Sequence, residues 1–126
     1  MIAILDTSVV IEGDLLPLEE MLSISVATMA ELHYGVLVAK DGLRRAERLE
    51  RMLSIQRRFS PLPIDEVVAE SYAKLAVAVA ATGRQPRSRT MDLLIAATAH
   101  AHQARLYTRN AEDLRGLETL LEIISI

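Results

Sequence analysis

This 126-residue sequence predicts an α/β domain in which helices cover both faces of a parallel sheet, and three observations lead there. Short aliphatic runs alternate with longer segments of helical periodicity, the pattern left by strand–helix–strand crossovers. The length fits one domain, 1–126, with little left for a second. The one clear breaker stretch, Gly83-Arg84-Gln85-Pro86-Arg87-Ser88-Arg89, lies between two helical segments, so it reads as an internal loop and not as a linker.

The elements follow in order. Ile2–Leu5 reads as the first strand. Ser23–Val26 and Leu62–Ile64 read as strands, with helices at about 28–40 and 43–59 between them. The 43–59 segment sets Leu43, Ala46, Leu49, Leu53 and Ile55 against Arg44, Arg45, Arg48 and Arg51, an amphipathic helix with a basic face. A helix at about 65–82 precedes the breaker loop. The segment 90–104 is apolar nearly all round and reads as a buried helix. Arg105–Tyr107 and Glu122–Ile126 complete the strands.

Composition narrows the function classes. At 51% hydrophobic the chain has material for a core, and with no Cys it carries neither a disulfide framework nor a Cys–zinc site. No apolar run approaches the roughly 18 residues of a membrane span. The start Met1-Ile2-Ala3-Ile4-Leu5-Asp6 lacks the basic opening of a signal peptide, so a cytoplasmic location is expected. Four aromatic residues, Tyr34, Phe59, Tyr72 and Tyr107, are too few for a base-stacking sheet of the RRM or OB type. A net charge of −3 announces no polyanion partner. Nine of the twelve Arg fall between Arg44 and Arg89, however, so any phosphate contact is local.

The placement of acids carries more. Ligands of open α/β sheets bind at the carboxyl ends of the strands. Asp6 follows the first strand, Glu31 lies early in the helix after the second, Asn110 and Asp113 follow the strand at 105–107, and Asp92 opens the buried helix. Gathered carboxylates repel and take up protons unless a cation neutralises them, and the cation suited to oxygen ligands is Mg²⁺ or Mn²⁺. Such a site activates water against a phosphodiester. Each acid also has a plainer reading. Thr28-Met29-Ala30-Glu31 matches a capping box, Asn110-Ala111-Glu112-Asp113 matches a capped first turn, and Asp92 suits a helix N-terminus. Asp6, an acid ending an apolar strand, is the hardest to explain that way.

Four segments then carry a family resemblance: Asp6-Thr7-Ser8-Val9-Val10, Thr28 through Gly35, Met91-Asp92-Leu93-Leu94-Ile95-Ala96-Ala97-Thr98-Ala99, and Thr108-Arg109-Asn110-Ala111-Glu112-Asp113. Their order along nearly the whole chain resembles that of PIN-domain ribonucleases of the VapC toxin type. The resemblance implies a three-layer α/β/α sandwich and an endoribonuclease dependent on Mg²⁺, with Mn²⁺ as substitute. It also implies a homodimer, an RNA substrate and a VapB-like antitoxin. By motif, Asp6, Glu31 and Asp92 take the metal-binding and catalytic positions; for the fourth, Asn110 stands where some members carry Asp, and Asp113 is favoured. Thr7, Ser8 and Thr108 are candidates to hydrogen-bond a metal-bound water or a phosphate, though they also suit turn and cap hydroxyls, and Asn110 is read as a supporting or water-mediated contact. Arg87 and Arg89 are candidates for RNA phosphates. Two departures stand out: the 25-residue step from Asp6 to Glu31 is short, which implies that the family's first helical region, at about 9–22, is trimmed here, and Leu114 replaces an aromatic often found after Asp113.

Rival readings fare worse on the residues. A haloacid-type phosphatase needs a second Asp where Ser8 stands, and a receiver domain needs a Lys that neither Lys40 nor Lys74 supplies. His33, His100 and His102 are read as structural. The remaining alternative is a PIN-like module that binds RNA or a partner without cutting.

Overall fold

The computed structural model describes residues 2–12 and 21–126. Four parallel strands form one sheet: β1 (Ile2–Leu5), β2 (Met21–Ser23), β3 (Arg105–Thr108) and β4 (Ile123–Ser125), in the order β2-β1-β3-β4. Register places Ile4 opposite Ser23 on one side and Leu106 on the other, and Tyr107 opposite Ile124. Among the described residues the α-helices are α1 (Thr7–Glu12), α2 (Val26–Leu37), α3 (Gly42–Arg58), α4 (Glu66–Ala81) and α5 (Thr90–Ala101).

Alternation along the central strands divides the core in two. Ile4 and Leu106 face a cluster built with Val68, Leu75 and Val79 of α4 and Leu93, Ile95 and Ala96 of α5. Ala3, Leu5 and Tyr107 face the opposite cluster of Val9, Val10, Met29, Leu32, Val36, Met52 and Ile55, from α1, α2 and α3. Helices therefore cover both faces, giving the expected three layers. Buried hydroxyls fasten the layers near one end. Ser25 caps α2 by accepting the Ala27 N–H at 3.0 Å, and its Oγ lies 3.0 Å from Thr98 Oγ1 of α5. Both residues are fully buried, so the pair fixes α2 against α5.

Several sequence expectations shift. The segment 23–26 is not a strand through its length: β2 ends at Ser23, because Ser25 takes the cap position and Val26 begins the helix. Leu62–Ile64 contributes a single bridge, Leu62 to Ser25, with prolines at 61 and 63 restricting further pairing. Of the expected first helical region, the helix spans Thr7–Glu12 and Met21 already belongs to β2; the part between lies outside the described residues. On α3 the buried residues are Met52 and Ile55, while Leu43 is 71% exposed and Leu49 and Leu53 are about 40% exposed. The helix packs on α2 at the edge of the domain, so only a narrow face meets the core. No helix among the described residues is long and apolar enough to cross a membrane.

Candidate metal and nucleic-acid site

All four strands run in the same direction, so the carboxyl ends of β1 and β3 open on one edge of the sheet. Asp6 stands there, 7% exposed, its N–H donating to Tyr107 O at 2.9 Å as the ladder's last bond. Its carbonyl accepts from Val9 N–H and starts α1. Two hydroxyls donate to Asp6 Oδ2, Ser8 Oγ at 2.6 Å and Thr108 Oγ1 at 3.0 Å. Each hydroxyl is itself an acceptor, Ser8 Oγ from Arg109 N–H and Thr108 Oγ1 from Asn110 N–H. With its lone pair occupied by a backbone donor, each hydroxyl turns its own proton to Asp6. The carboxylate is thereby pinned through one oxygen, and the other is left for the pocket.

Thr7 serves another acid. Its Oγ1 donates to Glu31 Oε1 at 2.6 Å and lies 3.0 Å from Thr28 Oγ1. Thr28 is fully buried in this contact, and Ser25, not Thr28, caps the helix, so the capping-box reading of Thr28–Glu31 does not apply. The Thr7–Thr28 pair is a floor beneath Glu31. Nothing in the sequence singled out Thr28, Ser25 or Thr98 for this role; three hydroxyls among apolar neighbours were the available signal.

Asp92 enters from the first turn of α5, half-buried. Its carboxyl is pushed up to about 6, chiefly by burial and then by the like charges of Asp6, Glu31 and Asp113, with Arg89 acting against them. The four acids thus share one electrostatic environment. Asp6, Asp92 and Asp113 line one pocket with Thr108, Asn110 and Leu114. Glu31 and Asp92 line the hollow beside it together with Arg87, Ser88, Arg89, Thr90 and Met91. Asp113 sits in the short 3-10 turn Ala111–Leu114, and its Oδ1 is 2.8 Å from an Arg89 terminal nitrogen. Arg89 was expected to face RNA phosphate and is instead committed to an acid, whereas Arg87 is exposed. Asn110 has no side-chain cap bond and lines the pocket.

The donors fit a hard divalent cation: every candidate is a carboxylate or hydroxyl oxygen, and Asp6, Glu31 and Asp113 add their like charges to the burial that raises the Asp92 carboxyl. Among the described residues no three acids or histidines converge into a ready cage. The carboxylates repel, and two are held elsewhere, Glu31 by Thr7 and Asp113 by Arg89. A cation that keeps several of its waters needs only one or two direct carboxylates. The histidines take no part. His100 Nδ1 is 2.8 Å from Ser71 Oγ, His102 ends α5, and His33 is exposed.

Comparison with known proteins bears on the family and the fold. The PIN domain family model matches residues 3–117. Ribonuclease VapC5 of Mycobacterium tuberculosis is 34% identical over 133 residues, covering 98% of this chain and 94% of the relative. Ribonuclease VapC8 of the same organism is 36% identical over 102 residues, covering 78% and 90%. The crystal structure of VapBC-5, a toxin–antitoxin system of M. tuberculosis, superposes with a TM-score of 0.77 at 31% identity, over 99% of this chain and 98% of that one.

Proposed function

We propose, from the premise that this chain belongs to the PIN-domain family and within it to the VapC ribonucleases, that it is the toxin of a toxin–antitoxin pair. In this reading it is an endoribonuclease using Mg²⁺, with Mn²⁺ as substitute. The observation that carries the chemistry is the gathering of Asp6, Asp92 and Asp113 around one pocket, with Glu31 in the hollow that shares Asp92. When bound, the divalent ion supplies an activated water and stabilises charge on the phosphate.

The chain's own residues do the positioning. Ser8 and Thr108 hold Asp6 through one oxygen and present the other. Thr7 orients Glu31 in the same manner. Burial and the neighbouring carboxylates raise the proton affinity of Asp92, and an arriving positive charge would lower it. Arg87 is free to meet an RNA phosphate. Arg89 holds Asp113 near the pocket, and we assign Asp113 as the fourth acid on that contact.

A ribonuclease acting on the cell's own RNA has to be restrained, and a cationic side chain is the natural lock for a carboxylate pocket. The partner is a VapB-like antitoxin that places an Arg or Lys near Asp6, Glu31 and Asp92 and covers apolar helix surface. That surface includes exposed Leu37 and Val38 of the α2 end and Leu43 of α3. The active form is a homodimer. The test is co-expression. This chain alone should arrest growth and degrade RNA, its neighbouring antitoxin gene should rescue, and Asp6→Asn should be harmless. Folded wild-type protein at high level with intact RNA and normal growth would instead favour a binding module that does not cut.

A further inference from the structure

The acid-lined trough does not end at Glu31. Asp92 is shared by the acid pocket and the hollow beside it, and Glu31 and Met91 are shared by that hollow and a groove of about 420 Å³ lined by Ala30, Glu31, Tyr34 and Met91. Tyr34 stands one helical turn beyond Glu31, so the two side chains rise from the same face of α2. Among the chain's four aromatic residues it is exceptional. Tyr107 is buried, Phe59 and Tyr72 pack against the core, and Tyr34 is 68% exposed.

We propose that Ala30, Tyr34 and Met91 form a subsite for one unpaired nucleobase of the RNA whose phosphate lies at the acid pocket. The base stacks on the Tyr34 ring, and the Met91 side chain closes on its edge. This rests on the ribonuclease reading. The order of groups along the trough supports it: carboxylates, then the exposed Arg87, then an aromatic ring on an apolar wall. A single strand presents the same sequence of needs, a phosphate for a metal site, a further phosphate for a cation, and a flat apolar face for an aromatic ring. A phosphate has no partner in the Tyr34 groove, whose one charged wall is Glu31. Leu37 and Val38, 75% and 48% exposed and assigned above to the antitoxin, lie further along, at the α2 end, and do not line this groove. Continuity with the acid pocket favours the base.

The experiment reads binding separately from cleavage. Cleavage of a short single-stranded oligoribonucleotide by the wild type with Mg²⁺ is measured first. The same oligoribonucleotide, carrying one 2-aminopurine moved along the strand, is then titrated into Asp6→Asn protein with and without Tyr34→Ala, Tyr34→Phe or Leu37→Ser. At one position the fluorescence should be quenched. Tyr34→Ala should abolish that quenching and weaken binding by about tenfold. Tyr34→Phe should restore both, and Leu37→Ser should leave both unchanged. Cleavage by wild type together with undiminished binding and quenching in Tyr34→Ala would overturn the subsite alone. RNA binding intact in both Tyr34→Ala and Leu37→Ser, with a changed oligomeric state by sedimentation, would overturn it in favour of a protein-docking face. Neither cleavage nor binding by the wild-type chain would overturn the ribonuclease reading and the subsite with it.

Discussion

The two ends of the sheet each carry a hollow lined by charged residues, and they are built on opposite terms. At the amino end of β3, a cavity of about 370 Å³ is lined by His100, Gln103, Ala104, Arg105, Leu120, Leu121 and Glu122. Its charges are matched: Arg105 meets Glu122 at 2.9 Å, and His100 is bonded to Ser71. At the carboxyl end the acid pocket is far tighter, yet Asp6, Asp92 and Asp113 line it, Glu31 lies in the hollow beside it and Arg89 pairs with Asp113; burial first, and then these like charges, raise the affinity of Asp92 for its proton. The larger hollow is electrically settled, and the smaller one is not. Unbalanced charge at a strand terminus, held in place by second hydrogen bonds, is the mark of a working site. Volume is a poor guide here.

The largest effect that separates the two ends is on cleavage. Asp6→Asn or Asp92→Asn should reduce RNA cleavage at least about a hundredfold, with the fold intact by circular dichroism. Glu122→Gln at the other end should stay within about twofold of wild type. Removing the hydroxyls that aim Asp6, by Ser8→Ala or Thr108→Val, should cost about ten- to a hundredfold in the same assay.

Stability without metal should move the other way. Because Asp92 has a higher pKa folded than unfolded, the native state binds more protons between about pH 4 and pH 6, and stability falls as pH rises through that window. Above it the charged form is a standing cost, so Asp92→Asn should stabilise the metal-free protein at neutral pH. Partial solvation reduces the effect to about 1 kcal/mol, or about 3–5 °C in Tm, and flattens the pH slope. Glu122→Gln breaks a solvent-facing pair and should leave stability within about 1 kcal/mol of wild type or slightly lower. Differential scanning calorimetry in EDTA across that pH range measures both.

The smallest expected effect concerns the two arginines before Asp92. Arg87→Ala should lower the log–log salt slope of single-strand RNA binding by about 0.7. Arg89→Ala should change it less, because Arg89 is engaged with Asp113. Equal loss from each would mean that Arg89 leaves Asp113 for the RNA.

Much of this was legible in the residues, and the failures have physical causes. An acid closing an apolar run gave β1 and Asp6, and an all-round apolar helix with an acid in its first turn gave α5 and Asp92. Period-based reading failed where one side chain overrides the pattern. Ser25 reads as a strand residue among aliphatics, yet its hydroxyl caps α2 and ends β2 early. The apolar positions of α3 were over-assigned to the core because periodicity does not say how wide the facing surface is. Arg89 could not be assigned to Asp113 in advance. That pairing joins the 3-10 turn Pro86–Arg89 to the turn at Ala111–Leu114, a tertiary approach with no local signature. Likewise Thr7 and Thr108 both looked like turn hydroxyls, and only the placement of α2 sends one to Glu31 and the other to Asp6.

The central claim, that the charge imbalance at the carboxyl edge serves a divalent ion in RNA hydrolysis, is tested most directly by one titration. Purified, partner-free protein is assayed for RNA cleavage in Mg²⁺, in excess EDTA, and again after Mg²⁺ is restored, beside Asp6→Asn. The account predicts cleavage, none, cleavage regained, and no cleavage by the variant at any step. Full wild-type activity in excess EDTA would contradict it.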